Sequence, residues 1–387
     1  MRAALQRSDK RSAAGEDGIS YAVLDALSDR SLLVLCALFN ACKRVGKVPQ
    51  EWQSAVVRML YKGSVHRNPQ GTADTTKYRG ISLSSCVGKL LEGVLHLRLE
   101  AFLAVVSPIH KCQGGFLRGH SALEQLWAFV DSLSMRGPNA LVAFWDIRKA
   151  FPSVRRSSVL RAMYDKGVMG DVWRLVAAFF EANKSTVVVD GEAAAPYDVE
   201  NGTREGARLS PIEFLCLIDE MLELVEQAGV GYSFDGVDGN KVWLGMLGFA
   251  DDMEGNPRDV QDSQAMFGIT GDWAWSHMIR YGLEKTGIAV FNPDPDLPSY
   301  PGRLELTQRA MVDKNGNESR AVPVLSMYEY LGLLLDEYGE LAEHILQEVL
   351  PEVRRRLWAR SSTIATHDIL APEASLRFID SGVLSVA

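Results

Sequence analysis

The chain has 387 residues, 47% of them apolar and 23% charged, enough for one large core or two to three subdomains of a globular protein. No apolar run reaches the ~18 residues of a spanning helix, the N-terminus MRAALQRSDKRSAAGEDG has no secretory core, and Cys36, Cys42, Cys86, Cys112 and Cys216 form no C-x-x-C pair; together these argue against a membrane span, a zinc site and a disulfide framework, and point to an intracellular protein, nuclear or cytoplasmic. The net charge of −8 is uneven: residues 1–120 carry 17 Lys and Arg against nine Asp and Glu, and the remainder 24 against 40, so a local basic surface on an acidic body is one reading and chance drift the other.

Residues 17–45 predict a helix, with Leu24, Leu27, Leu32, Leu35, Leu38 and Phe39 at three-to-four spacing. Residues 56–61 predict a short strand and 64–77 a polar loop. Residues 87–102 predict an amphipathic helix, and 121–133 another. The apolar run 141–145 predicts a strand ending in Asp146. Helices follow at 157–166 and 172–183, then a strand at 186–190. Ser210-Pro211-Ile212-Glu213 predicts a capping box opening a helix that runs to Gln227, with Gly229 just past its end. Residues 242–254 predict a hairpin with Ala250-Asp251-Asp252 at its tip. A helix at 262–282, a proline-rich loop at 292–302, strands at 303–312 and 321–334 around the turn 313–316, and a helix at 338–358 complete the chain. Strands and helices mixed without strict βαβ alternation indicate an α+β fold.

Two of these strand runs end in carboxylates. If the strands are neighbours, Asp146, Asp251 and Asp252 converge and repel, and divalent metal is the usual remedy. Two metals ~3.5–4 Å apart on shared carboxylates are standard apparatus for in-line phosphoryl transfer. Surface acids at strand ends beside a tight turn are the plainer alternative.

A series of motifs then appears in order: Tyr78-Arg79-Gly80-Ile81-Ser82-Leu83, Gln113-Gly114-Gly115-Phe116 with Gly119-His120-Ser121, and Asp146-Ile147-Arg148-Lys149-Ala150-Phe151. Gly202-Thr203-Arg204-Glu205-Gly206 with Leu209-Ser210-Pro211, Phe249-Ala250-Asp251-Asp252, Lys285-Thr286 and Tyr330-Leu331-Gly332 follow. The series resembles the reverse transcriptase of non-LTR (LINE-class) retrotransposons over about residues 14–336. Gly15-Glu16-Asp17-Gly18-Ile19 and Val48-Pro49-Gln50-Glu51-Trp52 resemble the segment ahead of that family's fingers.

The resemblance implies a right-hand polymerase of fingers, palm and thumb, with an antiparallel palm sheet flanked by helices. Residues 1–140 would be an N-terminal extension and fingers, 141–336 the palm with fingers-associated helices, and 337–387 a partial thumb. The implied activity is RNA-directed DNA polymerisation on an RNA template, a DNA primer and dNTPs. Two Mg²⁺ ions, with Mn²⁺ as the substitute, would be held by Asp146 and Asp251, with Asp252 in a less direct role. Arg79 would approach the triphosphate, where its fork suits phosphate oxygens, with Lys89 and Arg118 as weaker candidates for phosphate or template. Phe151 would pack under the sugar and exclude a 2′-hydroxyl. Lys285 would assist the leaving pyrophosphate, Gly202 and Gly206 would let backbone approach the nascent pair, and Tyr330 would belong to the primer grip. Taken singly, Phe151 and Tyr330 read equally as core residues and Lys285 as a loop lysine.

Departures from the family pattern are Glu205 for a usual Gln, Pro152 for a frequent Asp, Gly80 for a frequent Pro, and Glu213 for an apolar residue. A carboxylate at 205 is unfavourable beside a triphosphate unless paired, with Arg204 or Arg208 as the expected partners. Neither the family's endonuclease domain nor a zinc knuckle is legible. A decayed or domesticated nucleic-acid-binding copy is therefore the second reading. A group II intron maturase is a third, disfavoured by the form of residues 78–83 and 330–332.

Overall fold

The computed structural model describes residues 1–61, 77–189, 191–235, 240–293, 306–313, 315–325, 327–331 and 333–336. Nearly all of the expected loop at 64–77, most of the loop at 292–302, Lys314, Gly332, the helix at 338–358 and the partial thumb lie outside the described residues.

At the N-terminus α1 (Arg2–Gln6) and α2 (Tyr21–Asp25) precede α3 (Asp29–Val45). The single helix expected over 17–45 is thus broken. Ser28 caps α3 by accepting the Ser31 N–H at 3.2 Å, and Gly46 closes it at φ 68°. Next come β1 (Ser54–Tyr61), β2 (Tyr78–Ser84), α4 (Cys86–Val106) and α5 (Ala122–Arg136). A capping box between Ser121 and Glu124 opens α5. Strand β3 (Ala140–Asp146) leads into α6 (Ala150–Ser153), α7 (Arg156–Asp165) and α8 (Gly170–Phe180). Then follow β4 (Lys184–Val189), β5 (Glu192–Ala193), β6 (Tyr197–Asp198) and α9 (Ser210–Gln227). The remaining elements are β7 (Ser233–Asp235), β8 (Lys241–Trp243), β9 (Met246–Phe249), β10 (Asp252–Gly255), α10 (Val260–Ser276), β11 (Tyr281–Gly282) and β12 (Gly287–Phe291). Strands β13 (Thr307–Val312), β14 (Glu318–Ala321), β15 (Met327–Tyr330) and β16 (Leu333–Asp336) end the described chain.

Three further expectations need correction. Helix α10 stops at Ser276, because Met278 takes a left-handed φ of 59° and the chain re-extends as β11. The strand expected at 321–334 is cut by Leu331, also left-handed at φ 51°, and β15 folds back on β16 with Tyr330 opposite Leu333. The box expected at Ser210 and Glu213 is not formed. The Glu213 N–H already bonds the Leu209 carbonyl, and its carboxyl is buried, pushed up to about 8 by desolvation and by Glu92.

The described residues divide into two compact units. One comprises Met1–Phe116, Ile147–Leu224 and Trp273–Arg280; the other comprises Leu117–Asp146, Val225–Asp272 and the chain from Tyr281 onward. In the first unit β2-β1-β4-β5 form a sheet, with β6 also pairing β4. The β1·β2 pair is antiparallel and β1·β4 parallel. In the second unit β12-β3-β10-β9 form a wholly antiparallel sheet. Residues 140–145 of β3 are all buried, which is why that strand reads as an unbroken apolar run. Phe144 meets Phe129, Phe291, Tyr328 and Tyr330, while Trp145 packs on Phe267 of α10. The chain is α+β with mainly antiparallel sheets. Among the described residues no helix is long and apolar enough to cross a membrane.

Candidate active site

Four of the candidate residues lie in the second unit. Strand β3 ends at Asp146, and its central place between β12 and β10 sets that end beside the β9–β10 hairpin. The hairpin register pairs Phe249 with Asp252, so Ala250 and Asp251 form a two-residue tip. Ala250 adopts φ 61°, a left-handed backbone that costs an alanine roughly 1–2 kcal/mol and is held here by burial. Asp252 is the ladder partner of Asp146. The Asp146 N–H donates to Thr286 Oγ1 at 3.1 Å, which pins the strand end. A Cβ on Gly282 would come within 2.8 Å of Asp146 Oδ2, so a larger residue there would push that carboxylate from its place.

Burial pushes the Asp146 carboxyl up; Lys285 pulls it down, and the charges of Asp251 and Glu284 add to the upward push. Asp252 faces Asp146 across the ladder. Desolvation pushes the buried Tyr330 hydroxyl up, and the charges of Glu254 and Asp252 add to it. Tyr330 is a core residue, wholly buried among aromatic rings. Lys285 is exposed, and its N–H bonds the Gly282 carbonyl.

The other four candidates lie in the first unit. Arg79 stands on β2, Phe151 on α6, and Glu205 and Gly206 in the segment before α9. The Ser82 N–H donates to the Glu205 carbonyl at 3.0 Å, tying that segment to β2. Arg79 Nε and Glu205 Oε2 stand 3.8 Å apart. This corrects the expected pairing. Arg204 is spent on the carbonyls of Trp52 and Gln53 and on Asn183, and Arg208 on the carbonyls of Ala4 and Arg7 and on Ser8.

The glycines also serve the protein's own backbone. At Gly202, with φ 81°, a Cβ would lie 2.6–2.8 Å from Pro152 backbone atoms, and at Gly206, with φ 102°, 3.1 Å from the Ser82 carbonyl oxygen. Lys89, expected near phosphate, is buried in its unit with its ammonium 6.0 Å from the Tyr21 ring. Arg118 is exposed in the second unit. Phe151 is half-buried, meeting the Phe116 ring edge-on at 5.9 Å and the Phe214 ring at 5.0 Å.

Thr286, Gly282 and Glu284 around Asp146, and Phe116 and Phe214 around Phe151, carried no assigned role in the sequence. Thr286 adjoins Lys285, but nothing local ties it to a strand 140 residues away.

Among the described residues no three His, Cys, Asp or Glu side chains are grouped to hold an ion by themselves. The pair Asp146 and Asp251 nevertheless suits a divalent ion. Both offer hard oxygen donors, Asp146 lies in a glycine-walled niche, and its charge is poorly compensated where it stands. Mg²⁺ is commonly held by one or two carboxylates, with waters and substrate phosphates supplying the rest.

Comparison with known proteins accords with this arrangement. A profile of the reverse transcriptase (RNA-dependent DNA polymerase) family matches residues 66–314. The chain is 25% identical over 370 residues to a Drosophila melanogaster protein named "Probable RNA-directed DNA polymerase from transposon X-element", covering 92% of this chain and 36% of that one. It is 26% identical over 360 residues to the RNA-directed DNA polymerase from mobile element jockey of the same fly, covering 90% and 36%. Against a Pol polyprotein from the type-1 retrotransposable element R2 of Popillia japonica the identity is 27% over 250 residues, covering 63% and 32%. The chain thus spans only 36% of the length of the first two relatives. With more than half of its residues inside the profile, the chain belongs to the reverse transcriptase family.

Proposed function

We propose that this chain is the polymerase region of a non-LTR retrotransposon protein and extends a DNA primer with dNTPs on an RNA template. The observation that carries this reading is the placing of Asp146, at the end of β3, beside Asp251, at the tip of the adjoining β9–β10 hairpin, where the Asp251 charge acts on the Asp146 carboxyl and Lys285 offsets it. Under it, the β12-β3-β10-β9 sheet is the palm and the sheet bearing Arg79 belongs to the fingers. Asp146 and Asp251 would hold two Mg²⁺, or Mn²⁺. Such ions, when bound, neutralise triphosphate charge and lower the pKa of the primer 3′-hydroxyl. Thr286 and Gly282 fix the position of Asp146. Lys285 offers positive charge to the departing pyrophosphate. Arg79 engages phosphate oxygens, and Phe151 reads the sugar by shape.

The test is extension of oligo(dT) on poly(rA) by the purified chain with dTTP, with and without Mg²⁺ or Mn²⁺, beside Asp251→Ala. Metal-dependent extension lost in the variant supports the reading. A folded wild-type chain that extends nothing with either metal rejects it in favour of the decayed or domesticated copy. That second reading is favoured by the engagement of Arg79 with Glu205.

The same pair makes a prediction. Glu205 competes with a triphosphate for Arg79, so Glu205→Gln is expected to lower the KM for dTTP. The side chains are 65% and 25% exposed, so the gain is small, about 1.5- to 5-fold at low salt. It should shrink as salt rises. An equal or higher KM in the variant at low salt would show that the pair does not restrain Arg79.

Phe151→Ala is expected to raise incorporation of UTP relative to dTTP by ~10-fold or more, as removal of a shape contact does in a tight pocket. Unchanged sugar selectivity in an active variant would reduce Phe151 to a packing residue.

A further inference from the structure

Phe116 is an unusual residue for its place. It takes φ 57°, a conformation that bulky side chains rarely adopt, yet the residue is 48% exposed, so core burial is not what holds it there. The segment before it is firmly fixed. The His110 N–H donates to the buried carboxylate of Asp219 at 2.6 Å, and Asp219 also pairs with the buried Lys166. The Gln113 N–H bonds the His110 carbonyl, and the buried Gln113 side chain accepts the Gly115 N–H at 2.7 Å. A pinned turn thus ends in a strained aromatic residue whose ring meets Phe151 edge-on, with centroids 5.9 Å apart and planes at 72°. Helix α9 supplies both Asp219, which anchors the turn, and Phe214, the second ring on Phe151. Backbone strain persists where surrounding structure over-determines it, and such residues gather at ligand clamps.

We infer that Phe116 is a positioning residue for sugar selection: its edge fixes the rotamer of Phe151 at the incoming nucleotide. The inference rests on the proposed role of Phe151. The turn carries the cost of a left-handed phenylalanine so that an aromatic edge stands against that ring. A glycine would satisfy the backbone better and leave Phe151 free on that side.

The test compares Phe116→Gly, Phe116→Tyr, Phe151→Ala and the double variant Phe116→Gly/Phe151→Ala in the full chain. The readout is the ratio of kcat/KM for dTTP over UTP on poly(rA)/oligo(dT). Equilibrium binding of the two nucleotides to the primed complex gives the same ratio without turnover. Phe116→Gly is compatible with the backbone, so its melting temperature should hold or rise while the ratio falls by ~2- to 10-fold, the worth of one aromatic edge contact. Phe116→Tyr should keep the wild-type ratio. The double variant should lose no more selectivity than Phe151→Ala alone, because the two rings act as one unit. A wild-type ratio in Phe116→Gly beside a lowered ratio in Phe151→Ala overturns the inference and leaves the role of Phe151 standing. Unchanged ratios in both variants, or failure of the wild-type chain to bind either nucleotide, overturn both.

Discussion

Asp146→Asn, and equally Asp251→Asn, is expected to abolish primer extension while leaving the folded chain at least as stable. The activity loss should reach about 10³-fold or more, since the several kcal/mol of transition-state stabilisation that bound metal supplies would go with its ligand. The stability expectation comes from the surroundings of Asp146. Its charge is partly desolvated and stands near Asp251 and Glu284, with Lys285 as the offsetting cation. Asparagine keeps the shape and removes the repulsion. The bond from the strand end to Thr286 involves the backbone N–H and survives the change. Melting in EDTA should therefore place the variant level with wild type or above it. Adding Mg²⁺ should raise the melting temperature of wild type and not that of the variant, because only a site that binds metal gains stability from it. Wild-type extension in either variant, or an equal response to Mg²⁺, would end the assignment.

Gly202→Ala is expected to cost about 2–4 kcal/mol of stability, from the left-handed backbone and a clash that cannot relax. The new methyl would lie 2.6–2.8 Å from the backbone of Pro152, at φ 81°. The surroundings are not free to yield. The Gly202 N–H bonds the Val154 carbonyl, the Thr203 N–H bonds the Phe151 carbonyl at 2.9 Å, and Arg156 holds the Gly202 carbonyl at 3.1 Å. The damage falls on the turn that carries Phe151, so selectivity should fall together with stability. Urea denaturation separates this from the expectation drawn from sequence, in which Gly202 makes room for nucleic acid. That expectation requires a variant of normal stability and impaired activity alone.

These two sites show what could be read in advance. Asp146 and Asp251 were legible because each closes an apolar run, and the hairpin tip follows from runs that flank two residues. The α5 segment was legible from its apolar periodicity. The break at Ser28 was not, because leucine periodicity continues across it and only the capping serine marks the new start. The turns at Met278 and Leu331 defeated prediction for a different reason. Left-handed non-glycine residues have no local signature, and tertiary contacts impose them. The pairs Thr286 with Asp146 in one unit, and Glu205 with Arg79 and Phe116 with Phe151 in the other, join residues far apart in sequence. They arise from strand order and helix placement, which periodicity does not encode. Glu205 stood out in the sequence as a charge in need of a partner, but the arginines nearest in sequence are committed to backbone carbonyls and it is Arg79 that stands near it.

The crowded carboxylates at the end of β3 also bear on how such a gene would drift. Asp146 is expected to lower the stability of the fold in which it sits, while the bond from its backbone N–H to Thr286 does not depend on the side chain there. In a lineage released from selection on copying, a substitution there would go unpunished by misfolding and would spread as readily as a neutral change. The acids would then erode ahead of Gly202 or the rings around Phe144, whose loss is expected to destabilise the fold. This sequence departs from the family pattern at Glu205, Pro152 and Gly80 and carries Asp146, Asp251 and Asp252 together with Gly202 and the rings around Phe144.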